Sequence, residues 1–550
     1  MTWLGSRRAL MLAIAISLVL AALSIGSGFV TDDQGFRAVL HAGARPAWDL
    51  FRFQSGDPVV TAAMIRFGHL VWWAAPDLQI HFLRPLTSLL FALDDRLFGD
   101  AAIAYHVHSL LWLALLLAGV ASLYRRILTP AAATLGVLAF GLAAAHTEAY
   151  AWISARHVVV GGAGAAWALA IYARGGKLRW LGLLALAIGL AGSEAALGAV
   201  PIWCALAFAR EPTWRRRAIE CAPAIALGIA YLAAYTALGG GTRASGGYHD
   251  PISDPLGFCA LAIVRVPILL GDAALAIPAE LAFVVSHVAL ALAGVVAVAV
   301  VALAWRAAKP ESAGLGWLAI GGVLAVLPGV AGYPAGRVLL VPDLAFCAIL
   351  GAILAGGAKP FAIVVAIAHF VWSPLLALHD QRALARRGTF VERVAHEVTQ
   401  LVPAGSRAIV VAVSDPFVFL YPRGVLAIDA PGAVSCWSVL SAAHARHRLT
   451  RAGERELVLE PIERPLLDGS FDALFRSPDR PFSVGDTVEQ CGATIRVAAV
   501  ERGLPAKLDI TYQRRLDDPK LAFLVWRDRH LERLALPAIG ETIELPASTP

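Results

Sequence analysis

Apolar and polar residues alternate in blocks along the chain up to about Leu378, and the pattern then changes. The first block, Leu10 to Val30, is apolar or small throughout, roughly the ~20 residues that a helix needs to cross a bilayer. It ends in Phe29-Val30-Thr31-Asp32-Asp33-Gln34-Gly35-Phe36, so two adjacent carboxylates stand at the end of a rigid rod, where lipid meets water. The blocks together predict spans at 9–30, 103–123, 131–148, 157–173, 179–194, 195–209, 218–238, 285–305, 313–331, 338–356 and 360–378, about eleven crossings. Leu256–Phe283 is also apolar, but Pro267, Asp272, Pro278 and Glu280 interrupt it. That pattern predicts a helical hairpin lying in or on one membrane face, not a crossing. Arg7 and Arg8 before the first block resemble the start of a signal peptide. The run is long for one and no small-x-small site precedes Asp32, so an uncleaved first span is expected.

Lys and Arg cluster at alternate joints: Arg7/Arg8, Arg125/Arg126, Arg174 to Arg179, Arg210 with Arg215–Arg217, Arg306 with Lys309, and Lys359. Placing these joints in the cytoplasm gives a cytoplasmic N-terminus and puts everything after residue 378 outside. The expected location is a bacterial-type inner (cytoplasmic) membrane, with a periplasmic or extracellular C-terminal domain. The outer joints then hold a loop of about seventy residues, 31–102, together with His146–His157, the Gly-rich 239–255 segment and Gly332–Arg337. A loop of that length is usually functional. Within it, Val59–Trp73 and Phe82–Phe98 have apolar residues at helical spacing and predict amphipathic helices along the membrane surface.

Two domains follow from the change of pattern, 1–378 in the membrane and 379–550 outside it. In the second, Gln381–Leu401 predicts an amphipathic helix. Ala408–Val413, Phe417–Leu420, Glu456–Leu459, Thr494–Val500, Lys507–Tyr512, Leu521–Trp526 and Glu541–Leu545 predict strands of a β-rich α+β domain. It carries no recognisable catalytic motif.

Composition agrees with a polytopic membrane protein: 58% of the 550 residues are hydrophobic, only 16% are charged, and the mean hydropathy is +0.67. The net charge of +6 sits in short clusters at helix ends, not on one basic face, so nucleic acid is not an expected partner. Six Cys without metal-ligand spacing argue against zinc or iron–sulfur chemistry. Cys204, Cys221, Cys259 and Cys347 read as small core residues, whereas Cys436 and Cys491 can pair if their domain lies outside the cytosol.

Ionisable residues at membrane depth are costly and mark functional sites. Asp32, Asp33, Glu148 and Glu194 fall on one side of the predicted topology, as do His146, Arg156, His157 and Arg337, and together they describe a charged cavity. Arg84-Pro85-Leu86-Thr87-Ser88-Leu89-Leu90-Phe91-Ala92-Leu93-Asp94, then Phe98-Gly99, then Tyr105-His106-Val107-His108-Ser109-Leu110-Leu111, resembles the "RPLT…LFG…YHLxNLLLH" stretch of C-type (GT-C) glycosyltransferases. The resemblance is greatest to the transmembrane O-mannosyltransferases that carry tetratricopeptide repeats, the dolichyl-phosphate-mannose–protein mannosyltransferase-like family, and to their bacterial relatives. His146-Thr147-Glu148-Ala149-Tyr150-Ala151-Trp152-Ile153-Ser154-Ala155-Arg156 is similar to their "HPVHxEAVAWISGR", and Gly336-Arg337-Val338-Leu339-Leu340-Val341-Pro342-Asp343 to their "ERYLYLPS". The family's "SKE" reads Gly192-Ser193-Glu194 here, without the Lys; Ser109 replaces an Asn, and the repeats are absent.

The resemblance implies a GT-C-like membrane domain and an inverting transferase that takes a sugar from a polyprenyl phosphate on the outer face. Its acceptor would be a hydroxyl on protein, lipid or glycan. One of Asp32 and Asp33 would be the general base, with Glu148 in the same acidic site. Arg156, His157 and Arg337 would hold the donor phosphate, and His146, Glu194 and Arg84 would support the site or the acceptor. A divalent ion, Mg or Mn, would sit on Asp33 and Glu148. Two other functions use the same charges: a transporter or flippase of a lipid-linked or anionic substrate, and an inactive relative whose C-terminal domain acts as an adaptor. The polar groups gather on one side and the Asp32 and His146 segments have no second copy, which disfavours a transporter.

Overall fold

The computed structural model describes residues 3–310, 314–357, 359–467, 469 and 471–547. A helix occupies each of the eleven apolar blocks, but the helices differ in length. Those long and apolar enough to cross a membrane are Arg7–Ala22 with its 3₁₀ extension to Gly26, Ala102–Ile127, Trp214–Ala237, Pro255–Leu275, His287–Ala308 and the run Pro360–Leu401. Pro130–Gly141 passes the same test only when joined to the bent segment Ala144–Ala151. The others are shorter: His157–Arg174, Leu181–Gly192, Ala199–Arg210, Leu315–Val330 and Asp343–Ala355. Each short helix has Arg156–His157, Ser193–Glu194 or Gly332–Arg337 at one end, directly or across a short 3₁₀ turn. On that face the helices stop short, and polar segments fill the remaining depth. One large apolar cluster, from Leu10 through Tyr172, Trp203 and Leu344, holds the bundle together.

Leu256–Phe283 does not form the expected hairpin. Pro255–Leu275 is one helix, which ends at Ala276 in the left-handed conformation. Asp272 does not break it, because its carboxylate reaches forward to accept a hydrogen bond from Ala279 N, 3.1 Å. The helix packs on His287–Ala308 through Gly271 and Gly294, where an added Cβ would collide with backbone. His249 N donates to Ala331 O before it, and Gly336 N donates to Glu280 after it, so both flanks are tied to 331–336.

The long loop is structured, but not as two helices on a membrane. It contains helices Asp32–His41, Pro58–Arg66 and Pro85–Phe98 and strands Arg52–Ser55 and Gln79–His81; Gln79–His81 also pairs with Gly241–Arg243. On Pro85–Phe98 the polar side is inward: Thr87, Ser88 and Asp94 are buried, whereas Leu89, Leu93 and Leu97 face out, as suits contact with lipid. The expected helix Val59–Trp73 stops at Arg66. Leu70–Leu78 instead enters the core of the C-terminal domain, where Trp72 and Trp73 are fully buried and Trp72 Nε1 donates to Leu440 O, 3.1 Å.

That domain has two sheets. Four strands run in the order His530–Arg533, Leu521–Arg527, Ser406–Ala412, Val434–Ser441, with Ser406–Ala412 parallel to both neighbours. Six antiparallel strands run in the order Thr542–Leu545, His447–Arg451, Glu456–Pro461, Leu504–Tyr512, Ala493–Glu501, Thr487–Gln490. Phe417–Leu420 is not a strand. Asp415 accepts from Phe417 N, 2.8 Å, and Pro416 follows, so helix Pro416–Phe419 starts there. Cys436 and Cys491 form a disulfide. The two cores are joined by helix Ser373–Leu401: Gln381 Nε2 donates to Leu20 O in the bundle, and Val391, Val394 and Val398 lie in the second core. Gly388 passes so close to the chain before Asp32 that a Cβ would lie 2.6 Å from Phe29 O.

Candidate active site

The two carboxylates at the start of Asp32–His41 have different surroundings. Asp33 is fully buried: one oxygen accepts from Val30 N at 2.8 Å, and the other from Ser154 N at 2.8 Å and from the Ser154 hydroxyl. It pins the helix terminus to the segment after Trp152 and carries Thr31 at a φ of +46°. Asp32 is half-buried and, among the described residues, has no hydrogen-bond or ion-pair partner. Burial pushes its pKa up to about 6, with the charge of Arg337 pulling the other way. Burial pushes Asp33 up to about 7, opposed by its hydrogen bonds from Ser154 and Val30.

Arg337 lies in Gly336–Leu339, the 3₁₀ turn left by the early end of Leu315–Val330. Its Nη1 is 2.5 Å from Glu148 Oε2, and its guanidinium lies over Trp152, 5.7 Å from the ring centre. Trp152 Nε1 in turn donates to Val30 O, 3.1 Å. The other Glu148 oxygen is 3.9 Å from Arg387 Nη1, on the helix that leads into the second domain. Two guanidiniums therefore share one carboxylate, which leaves positive charge beside Asp32. Arg84 grips Glu194 with both Nε (2.8 Å) and Nη2, between the rings of Phe51 and Phe82. His157 Nδ1 is 2.9 Å from Ser193 Oγ. The charges of Arg337, Arg84, Asp32 and Glu194 all act on the Tyr248 hydroxyl, so Tyr248 stands within reach of both ion pairs.

Two residues expected here face elsewhere. Arg156 is completely buried and pairs with Asp94 at 2.6 Å, on the side where His108 also meets Asp94. His146 bridges Phe140 O and Asp343, each at 2.9 Å. The structure thus brings Asp32, Glu148, Arg337, Arg84, Glu194 and His157 to one region and ties Arg156 and His146 into the fold. Four further groups line the site: Tyr248, Arg387, Phe417 and Tyr421. Arg387 stands on an amphipathic helix, where a charged residue reads as a solvated face, and Phe417 and Tyr421 look like strand residues. No local signal sets them apart.

Asp33 and Glu148 do not fit a divalent cation. Both Asp33 oxygens already accept from N–H or O–H donors, and both Glu148 oxygens face guanidinium groups. Among the described residues no group of three or more His, Cys, Asp or Glu is arranged to hold a metal.

No family model matches the chain, and no curated protein matches it. Among solved structures, the Archaeoglobus fulgidus oligosaccharyltransferase tethered to an acceptor peptide aligns at a TM-score of 0.41 and 11% identity, over 80% of this chain and 64% of that one. The archaeal oligosaccharyltransferase AglB from Archaeoglobus fulgidus, with an inhibitory peptide and a dolichol-phosphate, aligns at 0.39 and 11%, over 77% and 64%. ArnT from Cupriavidus metallidurans, bound to undecaprenyl phosphate, aligns at 0.38 and 11%, over 78% and 89%. The chain thus spans less than two thirds of the oligosaccharyltransferase structures. These values are too low to place it in a family.

Proposed function

We propose that the protein is an inverting glycosyltransferase that moves a sugar from a polyprenyl-phosphate donor to an acceptor hydroxyl at the outer face of the membrane. The observation that carries this is Asp32: a carboxylate without a protein partner, its pKa pushed up to about 6, beside Arg337 where the bundle meets the soluble domain. A base whose pKa lies near the working pH is suited to general-base catalysis. Asp32 takes the proton of the acceptor hydroxyl as that oxygen bonds to the anomeric carbon. The bond from that carbon to the phosphate oxygen breaks, and its electron pair leaves with the phosphate. Attack opposite the leaving group inverts the configuration.

Arg337, with Arg387 behind Glu148, meets the charge developing on the phosphate. Asp33 positions Asp32. Arg84, Glu194 and His157 are the supporting groups of the site. No step passes through a metal ion. Three further features support the proposal: the sequence motifs around Arg84, Glu148 and Arg337, the outward Leu stripe of Pro85–Phe98, and the disulfide. A disulfide belongs to an oxidising compartment, and this one lies in the domain that packs on Asp32–His41. With the eleven blocks as crossings, an inner membrane with a cytoplasmic N-terminus and a periplasmic second domain accords with it. This requires Pro255–Leu275, whose two flanks are both tied to 331–336, to stay on the outer face; as a twelfth crossing it would carry the second domain inside.

Purified protein in detergent, given a radiolabelled polyprenyl-phosphate hexose, should release free polyprenyl phosphate and yield a product of inverted anomeric configuration. Saturable donor binding without release by wild type, across polyprenyl-phosphate sugars, would overturn the proposal.

A further inference from the structure

The segment Asp415-Pro416-Phe417-Val418-Phe419-Leu420-Tyr421 begins with the Asp415 cap of helix Pro416–Phe419, and the turn at Leu420 brings Tyr421 beside Phe417. Val418 and Phe419 are buried in the domain core, with Phe419 edge-on to Trp73 at 5.7 Å. Phe417 and Tyr421 remain partly exposed and stack on each other, centroids 5.8 Å apart and planes inclined by 24°. Rings that fill this core meet mostly edge-on; this pair is instead near-parallel and offset, so that Phe417 backs Tyr421 and the pair leaves a partly exposed apolar side. Arg387 lies over Phe417, 5.5 Å from its centre.

The next helix, Pro422–Asp429, fixes where this face lies. It docks on Asp32–His41 with Gly424 so close to Gly35 that an added Cβ would be 3.3 Å from Gly35 N. Tyr421 is thereby held within the reach of Asp32, Arg337 and Arg387, whose charges all act on it, and Tyr248 shares that neighbourhood. Among the described residues the hydroxyls of Tyr421 and Tyr248 have no hydrogen-bond partner. An apolar aromatic surface close to two phenol O–H groups and a carboxylate suits a molecule with one apolar face and a rim of hydroxyls. A pyranose ring is such a molecule. An extended peptide is bound through main-chain hydrogen bonds along a strand edge. The elements meeting at Asp32 (Asp32–His41, Thr147–Ala151, Gly336–Leu339 and Pro416–Phe419) are helical and offer side chains.

We infer that the acceptor is a glycan, whose terminal pyranose ring packs against the exposed side of the Phe417–Tyr421 pair so that one ring hydroxyl points at Asp32. The inference rests on the glycosyltransferase function proposed above. The O–H proton goes to Asp32 and the oxygen takes the donor sugar's anomeric carbon, so the glycan grows by one residue and polyprenyl phosphate is released.

The test uses the full chain in detergent with a radiolabelled polyprenyl-phosphate hexose. The acceptor probes are methyl hexopyranosides, maltotriose, a Ser/Thr nonapeptide and phosphatidylglycerol vesicles, whose headgroup offers hydroxyls but no sugar ring. Label should pass to a saccharide. Phe417→Ala and Tyr421→Ala should raise the saccharide KM about tenfold with kcat within about threefold, while Tyr421→Phe, which keeps the ring and loses only the hydroxyl, should raise it less, about threefold. Label on the peptide or lipid instead, or a saccharide KM unmoved by both alanine variants, would overturn the inference. Polyprenyl phosphate release with no saccharide labelled would also overturn it, while leaving the transferase function standing. Absence of release altogether would remove both.

Discussion

Adjacent in sequence, Asp32 and Asp33 leave one helix terminus about 100° apart, and that angle separates their roles. Asp33 is spent on Val30 and Ser154; Asp32 is open. A pH dependence follows from the pKa of Asp32, about 6. The base must be ionised, so kcat/KM for the donor should fall about tenfold per pH unit below about 6, and this limb should vanish in Asp32→Asn. Stability has the opposite sign. Both carboxyls are raised from 3.8 on folding, so the folded state holds their protons more tightly. Their contribution is complete below about pH 4 and is lost as pH rises through 6 and 7. The melting temperature in detergent should therefore decline between pH 5 and 8, and decline less in Asp32→Asn. The sequence shows that two carboxylates stand here, but not which one Ser154 would occupy, because that contact spans 121 residues. Arg156 teaches the same lesson. Next to His157, it reads as a phosphate ligand, yet its partner Asp94 lies 62 residues away. Arg156→Met should cost about 3 kcal/mol or more by leaving buried charge unpaired, whereas Arg337→Met, at a site one third exposed, should lose donor affinity with little change in melting temperature.

Elements were legible where one period dominated. The eleven apolar blocks each hold a helix, and Gln381–Leu401 lies within the amphipathic helix Ser373–Leu401. Elements were illegible where a local cue was outweighed by bulk. Phe417–Leu420 has strand-like composition, but the Asp415–Pro416 start makes it a helix, and Phe417 on that helix stacks with Tyr421 just beyond it. In Pro255–Leu275, Pro267 and Asp272 looked like breaks, but the Asp272 carboxylate caps the following turn and the helix continues past both. Strands Val434–Ser441, His447–Arg451, Thr487–Gln490 and His530–Arg533 were missed; their apolar positions answer to neighbours in the sheet more than to their own alternation. The disulfide fastens one of these strands. It closes a span of 55 residues, so reducing it, or Cys436→Ser with Cys491→Ser, should destabilise the second domain by about 4 kcal/mol. Chemical denaturation with and without dithiothreitol measures this.

At the scale of the whole molecule, the division near residue 378 marks where the pattern changes but not where the second core ends. Residues 70–78 of the long loop complete that core, and helix Pro422–Asp429 returns to cover Asp32–His41. Domain and bundle are interlocked around the candidate site, so the second domain shares one face with Asp32. Hydropathy reveals which segments are apolar; it does not reveal that Trp72 and Trp73 choose a protein core over a membrane surface. The central claim is that Asp32 is the base of a polyprenyl-phosphate-dependent glycosyl transfer. Its most direct test sets donor binding and polyprenyl phosphate release side by side for wild type and Asp32→Asn. The prediction is unchanged donor affinity with release reduced by about 10²–10⁴-fold. Release by Asp32→Asn at the wild-type rate would contradict it.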